Sequence, residues 1–121
     1  MPREVNGIVV FPNGTYERRV FKQLSDYQQA VEGLIEIVNL YDHTYSNIVA
    51  TMYVDEEGRI KYENPRLNTV ASGISHLLNN ENMLYGNAII VGAGDGEGYD
   101  TDIPDWLLNF VDKVAKDVTN V

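Results

Sequence analysis

The 121-residue chain contains no cysteine, which excludes disulfides and thiolate metal sites and fits a reducing compartment. It is also poor in positive charge: 9 lysines and arginines stand against 18 acids, for a net charge of -9. Such a surface repels phosphate backbones, so direct nucleic-acid binding is not expected. There is no basic, apolar, small-residue leader and no apolar run of about 18 residues, so neither secretion nor membrane insertion is signalled and a cytoplasmic location is expected. Histidine is scarce too, with only His43 and His76, and no H-E-x-x-H or G-x-S-x-G motif occurs. The chain therefore offers no catalytic residue by pattern, and no cofactor is expected.

What is present reads as one domain over 1–121, with apolar and charged fractions of 44% and 22% that suit a soluble globular fold. Residues 7–11 and 16–21 flank the turn Pro12-Asn13-Gly14 as a hairpin, and the mixed faces of 16–21 suit an edge strand. Ser25-Asp26-Tyr27-Gln28 matches a capping box opening a short helix that Gly33 stops. The apolar stretch 34–40 reads as a central strand, 48–54 as another, and Arg59-Ile60-Lys61-Tyr62 as an exposed partner across the turn Asp55-Glu56-Glu57-Gly58.

Around a helix start at Asn68 or just before it, the residues Leu67, Val70, Ala71, Ile74, Leu77 and Leu78 recur at helical spacing, with His76 beside them as a partly buried structural histidine. Residues 88–91 carry no polar side chain and read as a strand buried on both faces. Pro104 opens a last helix with the stripe Trp106, Leu107, Phe110, Val111, Val114 and Val118, and Asp102 and Asp105 suit its positive end. The expected fold is α+β: a single domain with one mixed or antiparallel sheet of about five to six strands and about three helices mainly on one face.

Two segments carry candidate site residues. Residues 92–98 place glycine at every second position, with Asp95, Glu97, Tyr99, Asp100 and Asp102 in or just after the run. A dinucleotide fingerprint needs G-x-G-x-x-G directly at a strand-to-helix turn, whereas here the spacing differs and about a dozen residues separate the two elements. The carboxylates would also repel phosphate. As a calcium loop counted from Asp95, the fifth, sixth and twelfth positions are Tyr99, Asp100 and Trp106, which do not fit. Asp95, Glu97, Asp100 and Asp102 remain only as weak candidates for a looser metal site, against a mobile acidic loop. The second segment, Tyr41-Asp42-His43-Thr44-Tyr45-Ser46-Asn47, mixes aromatic faces with hydrogen-bonding groups, which suits ligand and protein contacts. The candidate binding residues are Tyr41, His43, Tyr45, Asn47, Asp95, Glu97, Tyr99 and Asp100.

From about residue 34 onward the chain resembles a family of small proteins from phages, prophages and plasmids, domain of unknown function family 3846. The resemblance rests on Ile35-Glu36-Ile37-Val38, Asp55-Glu56-Glu57-Gly58-Arg59, Asn64-Pro65 and Gly86-Asn87-Ala88-Ile89-Ile90-Val91-Gly92, in that order. It implies expression inside an infected bacterial cell and supplies no reaction, cofactor or catalytic residue. Together with the acidity, it leads to the expectation of a small mobile-element protein that binds a host protein or a small ligand without catalysis. The alternatives are a DNA-mimic anti-restriction or anti-defence protein, and a metal-dependent enzyme using the acidic glycine loop. A homodimer is compatible with the apolar faces.

Overall fold

The computed structural model describes residues 4–42, 47–61, 63–78 and 83–119. Its elements run β1 (Val5–Val10), β2 (Tyr16–Phe21), α1 (Leu24–Val31), β3 (Ile35–Tyr41), β4 (Ile48–Asp55), α2 (Thr69–Leu77), β5 (Ala88–Gly92) and α3 (Asp105–Thr119). The five strands form one sheet in the order β2-β1-β5-β4-β3, antiparallel at every pairing. The expected α+β domain is thus observed, with β5 at the centre and wholly buried.

Because side chains alternate across a strand, the sheet has two differently covered faces. Ile8, Val10, Val38, Leu40, Ala50, Met52, Ala88 and Ile90 pack against Val70, Ala71 and Ile74 of α2 and Leu107, Val111 and Val114 of α3. The opposite face offers Val5, Val9, Phe21, Tyr53, Ile89 and Val91 to Ala30 and Val31 of α1 alone. One short helix cannot cover a five-stranded face. Ile37 on β3 is left 58% exposed and Ile48 on β4 44% exposed.

Several local expectations are corrected. Strand β3 is an edge strand and not a central one, its apolar character being spent on one covered face only. Residues Arg59, Ile60 and Lys61 form turns, with Ile60 and Lys61 N–H groups donating to the Glu57 carbonyl, so no strand pairs with β4 there; Tyr62 lies outside the described residues. The N-cap of α1 is Gln23, not Ser25: the Asp26 carboxylate accepts from the Lys22 and Gln23 N–H groups at 2.8 and 3.2 Å. It ends on Glu32 in left-handed geometry (φ 62°). Gly33 serves a different need, since a Cβ there would lie 2.6 Å from the buried Asp55 carboxylate. That carboxylate accepts from the Glu57 N–H at 2.9 Å and pairs with Lys61 at 3.2 Å, while Lys61 also reaches the Glu32 carbonyl.

Asn68 caps α2 as expected, accepting from the Ala71 N–H at 3.0 Å. It is fully buried because its amide also donates to the Val10 and Gly86 carbonyls at 3.0 and 2.8 Å. His76 is exposed on α2 and not part of the core. In α3 the stripe is centred on Leu107, Val111 and Val114, which turns Trp106 outward to 49% exposure.

The β3 edge has a readable hydrogen-bond parity. Glu56 N–H donates to the Leu34 carbonyl opposite it at 3.0 Å. Antiparallel residues alternate between bonded and non-bonded pairs, so Glu36, Val38 and Leu40 bond inward to β4, and Ile35, Ile37 and Asn39 direct their backbone groups outward. The outward Tyr41 N–H is already satisfied by the Leu78 carbonyl at 3.0 Å.

Candidate functional site

The glycine run does not hang free after β5. Gly92 N–H donates to the Thr101 carbonyl at 2.8 Å, Thr101 Oγ1 donates to the Ala93 carbonyl at 2.6 Å, and Asp95 N–H donates to the Tyr99 carbonyl at 2.9 Å. Asp95 Oδ1 accepts from the Glu97 and Tyr99 N–H groups at 2.7 and 3.2 Å. This hydrogen-bonded hairpin replaces the mobile loop expected from composition. Gly96 and Gly98 take φ of 82° and 91°, where other residues are strained. At Gly92 a Cβ would come within 2.3 Å of the Asp102 carbonyl, so the two arms close only on glycine.

The returning arm is tied down at two points. Asp102 Oδ1 accepts from the Asn6 N–H at 2.7 Å and Ile103 N–H donates to the Asn6 carbonyl at 2.8 Å, so Asp102 serves β1 and not the end of α3. Asp100 turns under the loop onto the α1 face. The Tyr53 hydroxyl donates into its carboxylate, 2.9 Å from Oδ1 and 2.8 Å from Oδ2, and the Tyr27 hydroxyl donates to Oδ2 at 3.1 Å. Tyr27 stacks on Phe21 with centroids 4.7 Å apart and meets Tyr53 edge-on at 5.0 Å. A tyrosine in an apolar strand needs a partner for its hydroxyl, and the loop supplies one. Burial first, and then the Asp100 carboxylate, raise both tyrosine hydroxyls above their ordinary pKa, so they stay protonated donors.

Two clefts open on either side of this tie. The inner one, about 260 Å³, lies between α1, Tyr27, Tyr53 and Tyr99. The outer one, about 360 Å³, runs over the uncovered part of β3 and β4, floored by Ile37, Asn39, Ile48 and Thr51 and walled by Gly94, Gly96, Gly98 and Tyr99. Asp100 lines both.

Of the residues proposed from sequence, Tyr99 and Asp100 come together here. Asp95 and Glu97 are exposed in the loop's turn, Asp95 serving the loop's own amides. Tyr41 ends β3, and Asn47 is exposed, its carbonyl accepting from the Asp42 N–H at 2.8 Å; neither lines the cleft. His43 and Tyr45 lie outside the described residues. Of the weak metal candidates, Asp95, Asp100 and Asp102 serve separate hydrogen bonds and Glu97 is exposed, and among the described residues no group of three or more His, Cys, Asp or Glu is placed to hold a metal ion. The sequence reading missed Tyr27, Tyr53, Ile37 and Asn39. Tyr53, the one polar-tipped ring in an apolar strand run, was the available signal.

Among the described residues, no helix is long and apolar enough to cross a membrane. No curated protein and no solved structure matches the chain. A family model does match, over residues 5–118, extending the likeness to the N-terminal hairpin and α1 that shape the inner cleft. The chain belongs to the family described as Domain of unknown function (DUF3846).

Proposed function

We propose that this is a non-catalytic binding protein, and that the cleft between the glycine hairpin and the uncovered β3–β4 surface is where it holds a host protein or a small ligand. The observation that carries this reading is the Tyr27–Asp100–Tyr53 tie. It fixes a glycine-walled hairpin over the sheet and leaves Ile37 and Ile48 exposed beside Asn39 and Thr51, the mixture of apolar surface and hydrogen-bonding groups that binding sites use. On this reading the partner is a component of the bacterial host's cytoplasm, in keeping with the resemblance to phage and plasmid proteins. DNA mimicry is the weaker reading, because Asp95, Asp100 and Asp102 are each turned into the fold's own hydrogen bonds. A homodimer would form along β3, the edge with outward backbone groups at Ile35, Ile37 and Asn39 and a single charged side chain, Glu36. The other edge, β2, carries Glu17, Arg18 and Arg19, which discourage strand pairing.

The test is affinity capture from bacterial lysate, with small molecules extracted in parallel, for the native chain and for Ile37→Lys. Ile37 is exposed, so the substitution fills the cleft without touching the core. A component retained by the native chain and lost with Ile37→Lys is the expected result. Nothing retained, or equal retention by both, overturns the reading.

A further inference from the structure

The outer cleft has an unbalanced charge. Asp100 receives two hydroxyl protons, from Tyr27 and Tyr53, whereas a carboxylate offers about four lone-pair sites. Among the described residues no lysine, arginine or histidine pairs with it. Among the described residues, Lys22 is the one cation lining the inner cleft and pairs at 3.5 Å with Glu4, and none lines the outer cleft. The carboxylate is partly buried, which strengthens its attraction for an opposite charge relative to open water. The rest of the outer cleft is apolar floor at Ile37 and Ile48 and bare backbone at Gly94, Gly96 and Gly98.

We propose that the outer cleft receives a single organic cation, the ammonium or guanidinium end of an aliphatic chain, with Asp100 as its counter-ion and Ile37 and Ile48 against the chain. This rests on the cleft being the binding site, and adds the class of group it takes. The same chemistry comes from a lysine or arginine side chain of a protein or from a free alkylamine. An anionic or purely apolar occupant would leave the Asp100 charge uncompensated.

The test is amide-resolved NMR titration of the full chain with N-acetyl-lysine methylamide, N-acetyl-arginine methylamide, n-butylammonium and the uncharged N-acetyl-norleucine methylamide. The expected result is movement of the Gly94, Gly96, Gly98 and Ile37 amides by at least one cation, with the norleucine compound at least about tenfold weaker. Tighter binding of the amino-acid amides than of butylammonium identifies a protein side chain as the source; the reverse identifies a free amine. Asp100→Asn keeps an acceptor for both tyrosines and is expected to abolish the preference for cations. Ile37→Lys, at an exposed position of the cleft floor, is expected to weaken cation binding by placing a resident charge there. Equal binding of the norleucine compound, an unchanged preference in Asp100→Asn, or no movement with any cation overturns the inference. If lysate capture still depends on Ile37 in that last case, the cleft stands as the site and only the cation class fails. If capture is independent of Ile37 as well, the site itself is wrong.

Discussion

Replacing Tyr53 with phenylalanine removes one oxygen and leaves the ring in place, so it isolates the tie that fixes the glycine hairpin. A hydroxyl bonded to a charged acceptor stabilises by about 1.5–3 kcal/mol. Asp100 is only partly buried and keeps Tyr27 as a donor at 3.1 Å, and solvent screening reduces the expected cost to about 1 kcal/mol. For a chain of 121 residues that lowers Tm by about 3–5 °C. Because both tyrosines serve one carboxylate, Tyr27→Phe with Tyr53→Phe leaves it with neither donor and costs more than the sum of the single changes, by about 0.5 kcal/mol or more. Urea unfolding followed by circular dichroism gives the energies. Hydrogen exchange at the Gly92, Asp95 and Tyr99 amides reports the hairpin, and these are expected to exchange faster in Tyr53→Phe while Ile89, Ile90 and Val91 in the body of β5 are unchanged. A loss below about 0.3 kcal/mol with unchanged exchange at those amides would refute the pinning argument.

Raised tyrosine pKa values also imply alkaline sensitivity. Both hydroxyls stay protonated in the fold above the ordinary value of 10.0, so their contribution is whole below that pH and is lost as pH rises past it; unfolding titrations should show stability falling from there upward, less steeply in the double phenylalanine variant. Leu107→Ala empties a fully buried position and is expected to cost about 2–5 kcal/mol, whereas Trp106→Ala, one residue earlier but half-exposed, is expected to stay within about 1 kcal/mol in the same denaturation assay. On β3, Ile37→Pro removes an outward N–H and should be tolerated, while Val38→Pro removes one bonded to β4 and should cost about 1–3 kcal/mol. Sedimentation equilibrium is expected to show a native dimer that Ile37→Pro converts to monomer; a native chain that stays monomeric at all concentrations excludes pairing along this edge.

The chain alone determined the elements whose signal is local. Asn68 caps α2 because its short amide meets a free N–H three residues on, and the apolar run at 88–91 suits only a strand covered on both sides. The α3 stripe follows from helical periodicity, and the α+β class from the order of these pieces. Tertiary structure decided what depends on pairing across the chain. Strand β3 has the composition of a central strand, and only the order of the sheet places it at an edge. Gly33 reads as a helix stop but is required by the Asp55 side chain, 22 positions away in sequence, lying against it. In the glycine run, each alternate residue looks equivalent in sequence. The fold separates them into a close approach at Gly92, left-handed turns at Gly96 and Gly98, and a cleft wall at Gly94. Asp100 is one carboxylate among several in that run. What sets it apart is the two tyrosines beneath it, 73 and 47 positions away, a contact between distant segments that no local spacing in the chain encodes.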